Sequence, residues 1–141
     1  MKNTSKPPGN TLIIAEEDYE TINNYVNGLN WVHSFDKKNA ALLKEELKKA
    51  TLVKKDDLPQ DVVGLNSRVI IKDKERNKLL DLVLVVPELA DIKQGRISVF
   101  APIGTALIGF RQGTKIKWEV PSGNKTFTIL EVYNPQKQEK F

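Results

Sequence analysis

The sequence predicts an α+β protein: a short N-terminal antiparallel helical hairpin with a coiled-coil seam, then a small, mostly antiparallel β domain carrying one short helix. Three observations lead there. Tyr19, Ile22, Val26 and Leu29 recur at steps of three, four and three, and Ala40, Leu43, Leu47 and Ala50 repeat those steps, the narrow apolar stripe by which two helices pair. Further along, the period shortens to two. It is clearest in "TKIKWEV", where Ile116, Trp118 and Val120 alternate with Lys115, Lys117 and Glu119. Between these regions "KKDDLPQDVVG" is polar and holds Pro59, the composition of a boundary.

Residues 1–11 are a disordered lead of Lys, Ser, Pro and Gly with nothing to bury. Residues 12–55 form the hairpin. The first helix starts in "LIIAEEDYE", and Glu16, Glu17, Asp18 and Glu20 crowd its first turn. Clustered carboxylates can bind metal, but acids favoured by the helix N-terminal dipole are the simpler reading. Gly28 and Asn30 weaken its end, and "NWVHSF" breaks the chain. "DKKNAALLKEELKKATLV" is the second helix, with Ser34 or Asp36 as its N-cap. At about 1.5 Å per residue each arm is only about 20 to 25 Å long.

Residues 56–64 are read as the linker and 65–135 as the β domain, with 136–141 a tail. "SRVIIKD" and "KLLDLVLVVP" are strands flanking the turn "DKERN"; "GRISV" is a short third strand. "TKIKWEV", the turn "PSGN" and "KTFTILEVY" close the domain, which ends at Pro135. Some 70 residues is near the lower limit for a self-sufficient core, so the hairpin is expected to pack against it.

Composition excludes several classes. The 141 residues are 40% hydrophobic and 28% charged, ordinary for a soluble domain. No apolar run reaches membrane-spanning length, and the N-terminus has no secretory apolar region. There is no cysteine, hence no disulfide, thiol catalysis or Cys-ligated zinc, which fits a cytoplasmic location. The formal charge of +4 is uneven: Met1–Asp61 holds 9 Lys and Arg against 10 Asp and Glu, Val62–Phe141 holds 13 against 8. With no block of five or six like charges, this reads as a solvated surface before a dedicated nucleic-acid patch. His33 is the only histidine, which rules out a His cluster, and its neighbour Ser34 is not thereby a triad partner. It is read as an exposed turn residue.

"SVFAPIGTALIGF", Ser98–Phe110, is almost uncharged in a chain rich in Lys and Glu. Gly104 and Gly109 have the spacing of a phosphate loop, but Phe110 and Arg111 follow where Lys and Ser or Thr are required. As local structure, Pro102 suits the first position of a short helix through Ala106, Leu107 and Ile108, and Gly109 ends it. Leu107 and Ile103 should be buried, with Phe100, Ala101 and Pro102 at the rim of the sheet. Core packing and a partner surface both fit this spacing.

"ADIKQGRISVFAPIGTALIGF" followed by "VPSGNKTFTILEVY" resembles the C-terminal domain of the bacterial Gre transcript-cleavage factors. The upstream "LPQDVVGLNSRVII" is closer to the Rnk branch of that family, whose helical hairpin is shortened. The resemblance spans roughly Leu12–Tyr133 and is specific only in the C-terminal part. It implies an FKBP-like fold for that domain and docking on RNA polymerase at the rim of the secondary channel, with the coiled coil pointing inward. Ser98, Phe100, Ala101, Pro102 and Ile103 match the family's docking loop. In true Gre factors, acidic residues at the hairpin tip help hold a second Mg²⁺. Here the tip, with Trp31, His33, Phe35 and Asp36, has Asp36 as its single carboxylate, followed by Lys37 and Lys38.

The expectation is therefore a monomeric, non-enzymatic regulator that binds RNA polymerase, competes with Gre factors, needs no cofactor or metal of its own, touches no membrane and reaches nucleic acid only through the polymerase. The rival readings are an active Gre-type cleavage factor, an FKBP-like prolyl isomerase built on Phe100, Phe110, Trp118, Phe127 and Tyr133, and direct nucleic-acid binding by the basic half.

Overall fold

A computed structural model describes residues 12–28, 34–120 and 123–135. The chain opens with strand β1 (Ile13–Ala15), helix α1 (Glu16–Val26), helix α2 (Ser34–Leu47) and strand β2 (Thr51–Val53). Five further strands follow: β3 (Arg68–Asp73), β4 (Lys78–Val85), β5 (Arg96–Ser98), then after helix α3 (Pro102–Leu107) β6 (Lys115–Val120) and β7 (Gly123–Tyr133). They form one sheet in the order β5-β4-β3-β7-β6. Three of its pairings are antiparallel, and β4–β5 is parallel. β3, β4, β5 and β6 fall within the runs read as strands, and β7 starts two residues earlier than "KTFTILEVY", at Gly123. Leu130 is an extra residue on β7, because Ile70 pairs with Glu131 and Ile71 with Ile129.

The ends of the helical region differ from expectation. "LII" and "TLV" were read into the helices; they are instead β1 and β2, paired in parallel from Ile13–Thr51 to Ala15–Val53. Their β-branched residues prefer extended backbone, and Ile13 and Thr51 also bond outward, Ile13 N–H to Gly109 O and Thr51 N–H to Leu12 O. Gly109 sits at φ +87°, and a β-carbon there would stand 3.0 Å from Leu12 Cβ, so a glycine is needed where α3 ends against β1.

Residues 56–64, read as a polar linker, put Leu58, Val62 and Val63 in the core. Val63 exchanges backbone hydrogen bonds with Gly109 and Phe110. Asn134 clips the same segment from the far end of the chain, donating from Nδ2 to the carbonyls of Gln60 and Val62, both at 2.9 Å. Its Oδ1 accepts from the buried Ser67 hydroxyl.

One apolar cluster joins the parts. Ile22 of α1 and Leu43 and Leu47 of α2 are packed with Val69, Ile71, Leu84, Phe127 and Ile129 of the sheet. Tyr19, Val26 and Ala50, the other described seam positions, are half-buried against it. Leu29, Trp31, His33 and the turn at Pro121 and Ser122 lie outside the described residues, as do the lead, the tail and the side chains of Phe35, Asp36, Ala40 and Trp118. Ser34 is the first described residue of α2 and Asp36 lies within the helix.

Candidate functional site

The uncharged stretch builds a corner at one end of the sheet. β5 ends at Ser98, whose Oγ accepts the Phe100 N–H at 3.0 Å while its carbonyl accepts the Ala101 N–H at 3.0 Å. Pro102 then opens α3 from an extended Ala101, as its fixed φ favours. The Thr105 side chain donates to Val99 O at 2.9 Å, and Thr105 N–H to Ala101 O at 2.9 Å. The helix start lies so close to β5 that a β-carbon on Gly104 would stand 2.2 Å from Ser98 O. Ser98, Ala101, Pro102 and Ile103 are thus held rigidly, half-buried, with no charge among them.

Phe100 is the exception. It was expected at the rim but is 1% exposed. It lies in the turn after β5, where Val99 is buried as well, and its ring goes inward, edge-on to Tyr25 with centroids 5.9 Å apart. Phe110 and Phe127 are likewise buried, while Tyr133 is half exposed. The three buried rings belong to the apolar core.

Two contacts were missed by reading along the chain. Tyr25 donates its hydroxyl to Glu88 Oε1, so α1 is fastened both to the corner through Phe100 and to the segment before β5. Partial burial, then the Glu88 carboxylate, push the Tyr25 hydroxyl up to about 12, and the bond holds Glu88 below the usual carboxylate range. A raised phenol pKa means the folded state keeps its proton longer, so the contact stabilises fully between the ordinary carboxylate range and pH 10; its contribution is lost as pH climbs toward 12 and, because Glu88 is held low, also as pH falls through the Glu88 value. Absorbance titration of Tyr25→Phe should lose a phenolate component with a midpoint near 12; loss of a component in the ordinary tyrosine range instead would show that Tyr25 is not bound to Glu88.

Asp18 is the second. It is 5% exposed and accepts from Lys55 Nζ at 3.1 Å and from Leu65 N–H at 3.1 Å. Among the first-turn acids it has a separate task, tying α1 to the segment before the sheet. Its spacing was the available signal: it stands four residues before Ile22, on the buried side of the helix. Among the described residues no three His, Cys, Asp or Glu side chains gather in a way that could hold a metal, and no described helix is long and apolar enough to cross a membrane.

Fold and corner together define a mixed α+β protein that presents a rigid, uncharged rim beside its sheet. Residues 58–134 match the family model described as "Transcription elongation factor, GreA/GreB, C-term". The chain is 36% identical to the regulator of nucleoside diphosphate kinase of Escherichia coli over 99 residues, 69% of this chain and 73% of that one. It is 36% identical to transcription elongation factor GreA of Amoebophilus asiaticus over 92 residues, 65% of this chain and 59% of that one. A solved GreA/GreB factor from Nitrosomonas europaea superposes with a TM-score of 0.72 at 30% identity, covering 92% of this chain and all of that one. The chain belongs to the GreA/GreB family of transcription elongation factors.

Proposed function

We propose that this protein is a transcription regulator that binds RNA polymerase at the secondary-channel rim through Ser98, Ala101, Pro102 and Ile103, and that it does not cleave RNA. The observation that carries the reading is the rim itself: four half-buried, uncharged residues locked between β5 and α3 in a chain of this family. An apolar surface already held in shape loses little entropy on docking. Phe100 takes part as the buried support of that surface. The C-terminal sheet is taken as the family's FKBP-like domain, and α1 and α2 as a shortened antiparallel coiled coil aimed into the channel. The working species is a cytoplasmic monomer without a cofactor, and the polymerase brings the nucleic acid.

Reach and ligand supply both count against cleavage. α1 has 11 residues and α2 has 14, about 16 and 21 Å at the α-helical rise. The tip carries the single carboxylate Asp36, followed by two lysines, where a hard cation needs several oxygens. Occupying the rim without cleaving would exclude Gre factors that cleave.

The test uses a backtracked elongation complex with labelled RNA. This protein alone should leave the RNA intact, and in excess it should slow cleavage stimulated by a Gre factor. Pro102→Glu should lose that competition while remaining folded, because it forces a carboxylate into the interface. Shortened RNA from this protein alone, abolished by Asp36→Asn, would establish the cleaving alternative. Unchanged Gre cleavage at saturating protein would remove docking at the rim.

A further inference from the structure

The positive excess of the C-terminal half gathers at one end of the sheet. Register sets Lys72 of β3 beside Thr128 of β7, and Thr128 beside Lys115 of β6; Lys117 stands beside Thr126, one pleat further. Paired residues share a face, and this one is opposite to the face carrying Ile71, Ile116 and Phe127 into the core. All three lysines are exposed, and none is in an ion pair among the described residues. The β3–β4 turn adds Lys74 and Arg76 at the same end.

The acids there are mostly engaged. Asp73 is buried, accepts the N–H groups of Glu75 and Arg76, and lies 4.0 Å from Lys125. Glu75 accepts the Thr126 N–H. Glu119 follows Lys117 by two residues along β6, so by sequence and register Lys72, Lys115 and Lys117 outnumber it three to one.

Lysines on an edge strand guard it against pairing with other sheets, which accounts for Lys115 and Lys117 on β6. It does not account for Lys72, which lies on the middle strand of five, paired on both sides. Arg68, on the same strand and face, is matched by Asp81 at 2.7 Å. Lys72 has only Leu79 and Thr128 across from it.

We propose that this end of the sheet is a contact for the phosphate backbone of nucleic acid, separate from the docking rim. Lys72 and Lys115 are two strands apart, about 10 Å, and Lys115 and Lys117 two residues apart, about 7 Å. A nucleic-acid strand carries a charge about every 3.4 Å of axis, so all three lysines fit one short segment. The threonines between them are ordinary phosphate donors. A protein partner would need a buried anchor, and among the described residues the large apolar side chain exposed directly across from Lys72 is Leu79. β4 runs from Lys78 at this end to Val85 beside Ser98, about 23 Å of strand, so both surfaces can be occupied at once.

The test needs no polymerase and so fails or succeeds independently of docking. The full chain is titrated against fluorescent random-sequence RNA and duplex DNA over a range of salt. Affinity should fall linearly with salt on logarithmic axes. The triple variant Lys72→Ala, Lys115→Ala, Lys117→Ala should flatten the slope by about three for duplex and weaken binding on the order of tenfold at low salt. The matching triple arginine variant should retain both. No binding at low salt, or an unchanged slope in the alanine variant, would overturn the proposal. So would competition by polyglutamate as effective as by nucleic acid at equal charge, which would assign the surface to an acidic protein.

Discussion

Gly104→Ala is expected to lower stability by roughly 3 kcal/mol, the upper end for overpacking a well-filled site, and to abolish attachment at the proposed rim. The new β-carbon would sit 2.2 Å from Ser98 O and 3.0 Å from Leu84 Cδ1. The nearer atom is backbone at the end of a strand and cannot rotate away. α3 must therefore lift from β5, breaking the Thr105 side-chain bond to Val99 O and carrying Pro102 and Ile103 out of register with Ser98. Urea denaturation and co-sedimentation with core polymerase measure the two effects. Stability within about 0.5 kcal/mol of wild type, the range of an innocuous surface change, would mean that α3 does not rest on Ser98. Normal stability with lost binding would separate the rim from the core, which this geometry forbids.

Leu43→Ala is the second large effect, expected at about 2 to 5 kcal/mol, because a fully buried leucine leaves a cavity as well as losing apolar contact. Leu43 is 0% exposed, whereas its neighbour Leu42 is 57% exposed; Leu42→Ala should stay within about 0.5 kcal/mol as the matched control. The loss at Leu43 should appear in one unfolding transition. Leu43 shares its cluster with Ile22, Ile71 and Ile129, so helices and sheet should melt together. A separate early transition for the helical region, or a loss below about 1 kcal/mol, would show that the seam is open to water.

Short-range patterns carried most of the architecture. The strand β6 announces itself by alternation, β3, β4 and β7 by β-branched and apolar runs bounded by turns, and the turn between β3 and β4 by "DKERN", where Asn77 takes a positive φ of 52°. α3 is legible from Pro102 at its start and Gly109 just past its end. These are local effects: a fixed φ, a missing β-carbon and a two-residue period act within a few residues, and the sequence states them directly. The seams were legible for the same reason, and Ile22, Leu43 and Leu47 are core as their spacing requires.

What no local pattern could settle were contacts between distant residues. "LII" and "TLV" have apolar content that suits a helix end or a strand equally; only their pairing with each other, 38 residues apart, makes them β1 and β2. Val62 and Val63 sit in a polar stretch, and their burial depends on Phe110 and on Asn134 from the far end of the chain. Phe100 lies in the stretch matched to the docking loop, but Tyr25 covers it from a helix far upstream. Asp18 looks like any first-turn acid until Lys55 and Leu65 close on it. The lysines at the sheet's end are scattered between positions 72 and 117, and only strand order brings them side by side. Composition set the charge of this protein and period set its elements; which side chains meet followed from the folded sheet, because hydrophobic burial and charge pairing are decided by distance in space rather than along the chain.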